Sequence, residues 1–381
     1  MTDYQDNHPA YLTFRMTVPD SPIARFADQE AWQARDRYPK VMGLGLPEFL
    51  HMAECETGGW EALGYGSVTP QGSRDSLGSY FRMQAKAADD AGDEKARRKW
   101  MVAAKRMDRE VVDDLTVQGR RYRIVRVCRF LRMGQGGPEP PRPSDRDSPE
   151  VGGHDVPTPK DKGHVVDVFS WTGLSEGILK MELVDFVNAR EADTPEGYED
   201  SRRARREYPG GVLMPPVFTV SERRDGTWGA FNIASSYPTA QGARDALSTW
   251  LRLHGPWELG LDAAKKAEWA ALADRLDETR GNALVVDGVR YRVTRVERLV
   301  RMGPDGPEPP RPSDYDPEEP TDVQAQRLKD EGLWSDEDDE GDDTPLDPEA
   351  GARIDAYRKL WEEERARKRA WRKARGMRDL D

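Results

Sequence analysis

The chain has 381 residues, of which 34% are charged and 36% hydrophobic, and its formal net charge is -12 at pH 7. That length predicts two or three domains, so polar a balance predicts unstructured segments beside the folded ones, and the negative charge argues against a surface that binds nucleic acid throughout. Only Cys55 and Cys128 are present, which excludes a disulfide framework or a multi-cysteine zinc site. No apolar stretch approaches the roughly 20 residues that span a bilayer, and the polar first residues lack a basic flank followed by an apolar run. The expectation is a cytoplasmic protein with no membrane contact, no metal and no cofactor.

In chain order, residues 1–10 read as a polar tail. Residues 11–18 alternate, with Leu12, Phe14, Met16 and Val18 on one face, and predict a strand. A helix through Phe26 and Trp32 is expected to end near Tyr38-Pro39, because proline disfavours helical geometry in the residue before it. Thr69-Pro70 opens a helix with Leu77, Tyr80 and Phe81 at i, i+3 and i+4, and the next helix carries Trp100, Ala103, Ala104 and Met107. Gln118-Gly119 is a hairpin turn into a long strand that ends at Gly134. The proline-rich segment GPEPPRPSD should then run extended and fold back over its own domain. Residues 146–163 read as a linker, and 164–171 and 178–187 as strands. Thr194-Pro195 starts a helix as N-cap and first position. Residues 217–223 and 228–234 flank Asp225-Gly226, a pair that tolerates the positive φ of a tight turn. Thr239-Ala240 begins another helix, with Leu247, Trp250 and Leu251 as its stripe. Trp269, Leu272, Ala273 and Leu276 mark the next, and Asp287-Gly288 the last hairpin.

Residues 117–145 return at 286–314, with 20 of 29 positions identical, no gap, and a constant offset of 169. Matches extend upstream, so the unit is about 110 to 125 residues, an ordinary domain size. This predicts an α+β fold of two tandem duplicated domains, each α-β-β-α-α-β-β with antiparallel hairpins packed by helices, at 11–145 and 164–314. Residues 315–350 are expected to be disordered and acidic: from Asp322 to Glu349 there are 12 acidic residues against two basic. Residues 351–381 predict a basic C-terminal helix.

The Arg-Tyr-Arg strand, the closing Pro-Glu-Pro-Pro-Arg-Pro-Ser-Asp and the upstream Gln-Gly-x-Arg-Asp-x-Leu helix resemble an actinomycete (Streptomyces-type) family whose function is not established. The resemblance covers both repeats, roughly residues 11–314, and implies no activity.

The arginine strands offer the most chemistry. Arg121, Arg123, Arg126, Arg129 and Arg132 recur as Arg290, Arg292, Arg295, Arg298 and Arg301, and Tyr122 and Tyr291 could supply an aromatic platform. Alternation splits the arginines between both faces, and pairing with the chain's own acids is the simpler account. Arg74-Asp75 and Arg244-Asp245 occupy matching helix positions; surface ion pairing explains them more cheaply than a ligand. His51 and Cys55, four apart, would share one helical face but lack a third metal ligand. Cys128 has no histidine near it in sequence, and its counterpart is Glu297. No catalytic set emerges. The leading reading is a non-catalytic module that binds a protein partner. Nucleic-acid binding through Arg123, Arg126, Arg292, Arg295 and the basic tail is one alternative, and an enzyme with a site at the domain interface is another.

Overall fold

The computed structural model describes residues 9–64, 66–152, 162–190, 193–231, 235–333 and 348–376. The upstream elements are α1 (Pro22–Arg37), β1 (Lys40–Gly43), β2 (Glu48–Glu54), β3 (Trp60–Ala62), α2 (Pro70–Asp90), α3 (Glu94–Arg109), β4 (Asp114–Val117), β5 (Arg120–Gly134) and β6 (Gly137–Pro138). After β7 (Val165–Val166) and α4 (Leu174–Asp185) come α5 (Pro195–Glu207), β8 (Gly210–Arg224), β9 (Thr227–Ala230) and α6 (Ala240–Thr249). A π turn (Trp250–His254), α7 (Gly255–Glu258), α8 (Ala263–Thr279), β10 (Ala283–Val286), β11 (Val289–Gly303), β12 (Gly306–Pro307), α9 (Thr321–Asp330) and α10 (Pro348–Ala374) complete the chain. Helices and antiparallel strands mix as an α+β protein; the order is α-β-β-β-α-α-β-β from α1 to β5, with one strand more than expected, and from α5 to β11 the short α7 stands between α6 and α8. No helix among the described residues is long and apolar enough to cross a membrane.

Local chemistry accounts for most boundaries. Ser21, Thr69, Thr194 and Thr239 each accept a hydrogen bond from the backbone N–H three residues on, which starts α1, α2, α5 and α6. The hairpin turns at Gln118-Gly119, Asp225-Gly226 and Asp287-Gly288 all have positive φ at both positions.

Two compact units divide the described residues, and they do not coincide with the two matching stretches. The first draws on 1–132, 159–215 and 297–335; the second draws on 133–158, 216–296 and 336–381. In the first unit the strands run β7-β3-β2-β5, and β5 then pairs with the last part of β11. Arg298 lies opposite Arg129, so matching positions face each other. One face of this sheet packs Phe49, Tyr122 and Ile124 against Leu77, Phe81 and Met107 of α2 and α3. Further along β5 the same face packs Cys128 and Phe130 against Leu179 and Leu183 of α4. In the second unit β11, β8 and β9 are neighbours and β10 pairs with β11. Here Phe218, Val220, Tyr291 and Val293 meet Leu247, Leu251, Trp269 and Leu276.

Several expectations are corrected. Residues 11–18 form a 3-10 turn and a single bridge from Met16 to Thr172 rather than a strand. Residues 178–187 lie largely in α4: its buried Ser175, Leu179 and Leu183 recur every four residues, a helical period that a short apolar run conceals. The acidic region is not uniformly unstructured. Its first part forms α9, held by Arg109–Asp322 and Arg327–Glu319 ion pairs, while 334–347 lie outside the described residues. Half of the expected linker, 153–161, also lies outside them, but its first part, 146–152, is pinned by side chains.

The proline arms do not cover their own stretch. β5 passes from the first unit to the second at its end, so the arm that follows belongs to the second unit, where Arg244, Arg292 and Arg295 receive it. The arm after β11 returns in the first unit to Arg74, Arg123 and Arg126. Each arm carries Asp-x-Asp. Asp314 takes the Nε of Arg126 at 2.9 Å, and Asp316 takes Arg74 at 2.6 Å and caps α2 through the Gln71 N–H. Asp145 does the same for Arg295 at 3.0 Å, while Asp147 takes Arg244 at 2.8 Å and the Gln241 N–H of α6.

Because Asp147 is the one carboxylate paired with Arg244 among the described residues, Asp147→Ala should destabilise the protein by about 2–3 kcal/mol in urea unfolding. Asp316→Ala should cost somewhat less, since Arg74 keeps Asp113. Arg98→Ala, which removes an exposed pair with Glu94, should change stability by under about 0.5 kcal/mol.

Candidate functional site

The second unit holds a cavity of about 1210 Å³ between its sheet and helices. A break in a helix lies beside it. Upstream, α2 runs unbroken for 21 residues, and Phe81 stacks on Trp100 at 5.7 Å and meets Tyr122 edge-on at 5.0 Å. Downstream, Leu251 stands where Phe81 would, so a ring is missing from the equivalent place. The helix also contains Gly255-Pro256. Proline has no N–H for the carbonyl of Arg252, and its ring would strike that carbonyl, so the preceding turn widens to π spacing, with the Gly255 N–H bonded to Trp250 O. Gly255 lets two tryptophans come close: a Cβ there would lie 2.8 Å from Trp269 and 2.9 Å from Trp250.

The result is an aromatic lining. Trp250 lies 5.2 Å from Trp269 and 4.8 Å from Phe231, and Phe231 meets Tyr291 edge-on at 5.3 Å. Thr249 and His254 also line the cavity, and both are held by α10. The Tyr357 hydroxyl lies 2.9 Å from His254 Nδ1, and Lys368 donates to Thr249 Oγ1 at 3.2 Å. Arg372 anchors the far end of α10 on Val151 O and Glu150. Arg224, Glu258 and Asp287 line it as well, so apolar rings make part of the wall and polar and charged groups the rest, and a concave space of that kind can take a ligand.

Of the residues that the sequence singled out, Tyr291 reaches this cavity. Burial raises its pKa, as it does that of Tyr122 in the upstream aromatic core. Arg123, Arg126 and Arg295 are buried and hydrogen-bonded to the arms or to Asp114, and Arg292 donates to Pro138 O while lying 4.9 Å over the Trp228 ring. Arg74 and Asp75 do not pair with each other. Arg74 holds Asp113 and Asp316. Asp75 accepts from Gln71, and burial raises its pKa against that hydrogen bond. Asp245 likewise accepts from Gln241. The carboxyl of Asp147 has a lowered pKa; burial works against its charge, and Arg244 with the Gln241 N–H outweighs it. Trp250 and Trp269 mark apolar helix stripes in the sequence, and nothing in the sequence joins them to His254. The signal that could have found them is the Gly255-Pro256 pair inside a helical pattern.

His51 and Cys55 are not brought together as a helical pair. His51 lies in strand β2, where four residues span about 13 Å. Its imidazole is buried, its Nδ1 has no partner, and desolvation lowers its pKa to about 4. The unfolded chain, near 6.5, therefore binds the extra proton first. Stability should be full above about pH 6.5 and fall by about 3 kcal/mol as pH drops toward 4. Urea unfolding at pH 7.5 and pH 5 should show about 2 kcal/mol of this loss, and His51→Gln should reduce it.

Neither the curated proteins nor the solved structures compared with this chain give a match. The chain belongs to a family of unknown function, DUF5954, whose match spans residues 21–317.

Proposed function

We propose that the protein is a non-catalytic, cytoplasmic binding module, formed by internal duplication, that takes an apolar segment of a protein partner into the aromatic cavity of the second unit. The observation that carries this reading is the cavity itself: about 1210 Å³, walled by Trp250, Trp269, Phe231 and Tyr291. That volume exceeds the roughly 300–1,000 Å³ of small-ligand sites and has room for a polypeptide segment of several residues. In this account the upstream stretch keeps a closed aromatic core and serves as the scaffold. Nucleic-acid binding has less support, because the strand arginines are committed to carboxylates and carbonyls within each unit.

The test places a photoreactive residue at the mouth, as Leu259→benzoylphenylalanine, since Leu259 is exposed and lines the cavity. Irradiation in cells should yield a discrete protein adduct. Ala246→Leu, which narrows the cavity from α6 without removing a core side chain, should reduce that adduct at least about fivefold with little change in stability. An adduct unaffected by Ala246→Leu, or one formed only with a small molecule, would overturn the reading.

A further inference from the structure

The outer edge of β9 in the second unit differs from its counterpart in the first. Glu54, Gly58, Trp60 and Ala62 recur at one offset as Glu222, Gly226, Trp228 and Ala230, so β3 and β9 are matching strands. In the first unit the far side of β3 is occupied. There β7 pairs with it antiparallel, Val166 opposite Trp60 and Val165 opposite Glu61, and the Ala62 N–H donates to His164 O at 2.9 Å. Under that cover Trp60 is 3% exposed, and Ala62 and Val166 are fully buried. In the second unit β9 ends the order of strands, and among the described residues no strand pairs with its far side. Trp228 and Ala230 are half-buried.

The uncovered edge offers hydrogen-bonding groups. The Phe231 N–H donates inward to Val220 O at 3.0 Å, so strand alternation turns the backbone groups of Trp228 and Ala230 outward. A row of such groups is a template for another strand. Side chains decide what that strand would meet. Phe231 packs on Tyr291, whereas Arg292, next along β11, lies over the Trp228 ring, so Phe231 and Trp228 stand on opposite faces. Ala230 and Phe231 also line the aromatic cavity. An added strand therefore sends successive side chains alternately onto Trp228 and toward the cavity. The chain's own β7 shows what the tryptophan side accepts: Val166, a β-branched residue, in one buried cluster with Trp60.

We propose that the outer edge of β9 takes an extended segment of the protein partner as an antiparallel strand, with a β-branched side chain beside Trp228 and its neighbour directed at the cavity. The proposal rests on the binding-module reading and adds how the partner is held. Backbone pairing supplies affinity, and the two faces select apolar residues at adjacent positions.

The test uses a fluorescent peptide with the sequence of residues 163–168, Gly-His-Val-Val-Asp-Val, titrated into the full chain. Anisotropy should rise to saturation, and hydrogen exchange at the Trp228 and Ala230 amides should slow at least about tenfold. Val166 sits opposite Trp60, whose backbone groups face β7 as those of Ala62 do, so the Val166 N–H faces β3. N-methylation of the corresponding peptide valine should weaken binding at least about tenfold, while N-methylation of the valine before it should not. Ala230→Pro, which removes an outward N–H and keeps the inward ladder, should weaken binding by a similar factor and reduce the partner adduct at Leu259→benzoylphenylalanine. If that adduct falls with Ala246→Leu and not with Ala230→Pro, the cavity reading stands and strand addition is overturned. If the peptide binds as described and no adduct forms, strand addition stands and the cavity reading falls. The proposal is also overturned by absence of saturable binding, by equal loss with both N-methyl peptides, by amides at Trp228 and Ala230 protected before peptide is added, or by a dimer of the chain that Ala230→Pro dissolves. The two N-methyl peptides decide the matter even if Ala230→Pro fails to fold.

Discussion

A guanidinium taken out of water must meet an anion or lose several kilocalories per mole, and this protein buries an unusual number of them in its sheets. Arg126 and Arg295 sit at matching positions in β5 and β11, and each ends on the first aspartate of a proline arm. Arg74 and Arg244, at the starts of α2 and α6, end on the second aspartate of an arm. The same second aspartate also accepts a helix N-terminal N–H, so one short segment neutralises a strand, neutralises a helix and caps that helix. The prolines suit this task because they hold the arm extended and present no N–H groups of their own to satisfy.

This clasp explains why the arm sequence and the arginine strand vary so little between the two stretches. A change in either leaves a buried charge alone, which costs more than the pair itself contributes. The pairs therefore set register and docking more than they add net stability. Net stability comes from the apolar faces: the α2 and α3 core upstream, and its counterpart under α6 and α8.

The two aromatic cores are built from matching positions and differ in their packing. Upstream, Phe81 fills the space between Trp100 and Tyr122, and an unbroken α2 closes over it. Downstream, Leu251 is smaller and Pro256 diverts the helix. The tryptophans turn to each other and leave a void walled by rings, braced from behind by Tyr357 and Lys368 of α10. The difference between a closed core and an open cavity thus rests on a few side chains and one backbone constraint.

What the sequence determined by itself was local. Asx-Gly turns, threonine caps and the four-residue stripes of α2, α3, α6 and α8 were legible because the backbone geometry they impose needs no distant partner. The matching stretches were legible for the same reason, and so was the alternation that divides the arginines between two faces. Which aspartate meets which arginine was not, since Asp316 reaches Arg74 across 242 residues of sequence and spacing says nothing about that closure. The α4 helix was hidden because a short apolar run fits either period until its packing partners are known. The aromatic cavity was visible only as tryptophans at core spacing; tertiary structure decided that Gly255 lets them meet and that a space lies beside them, because a void is a property of packing rather than of any one residue.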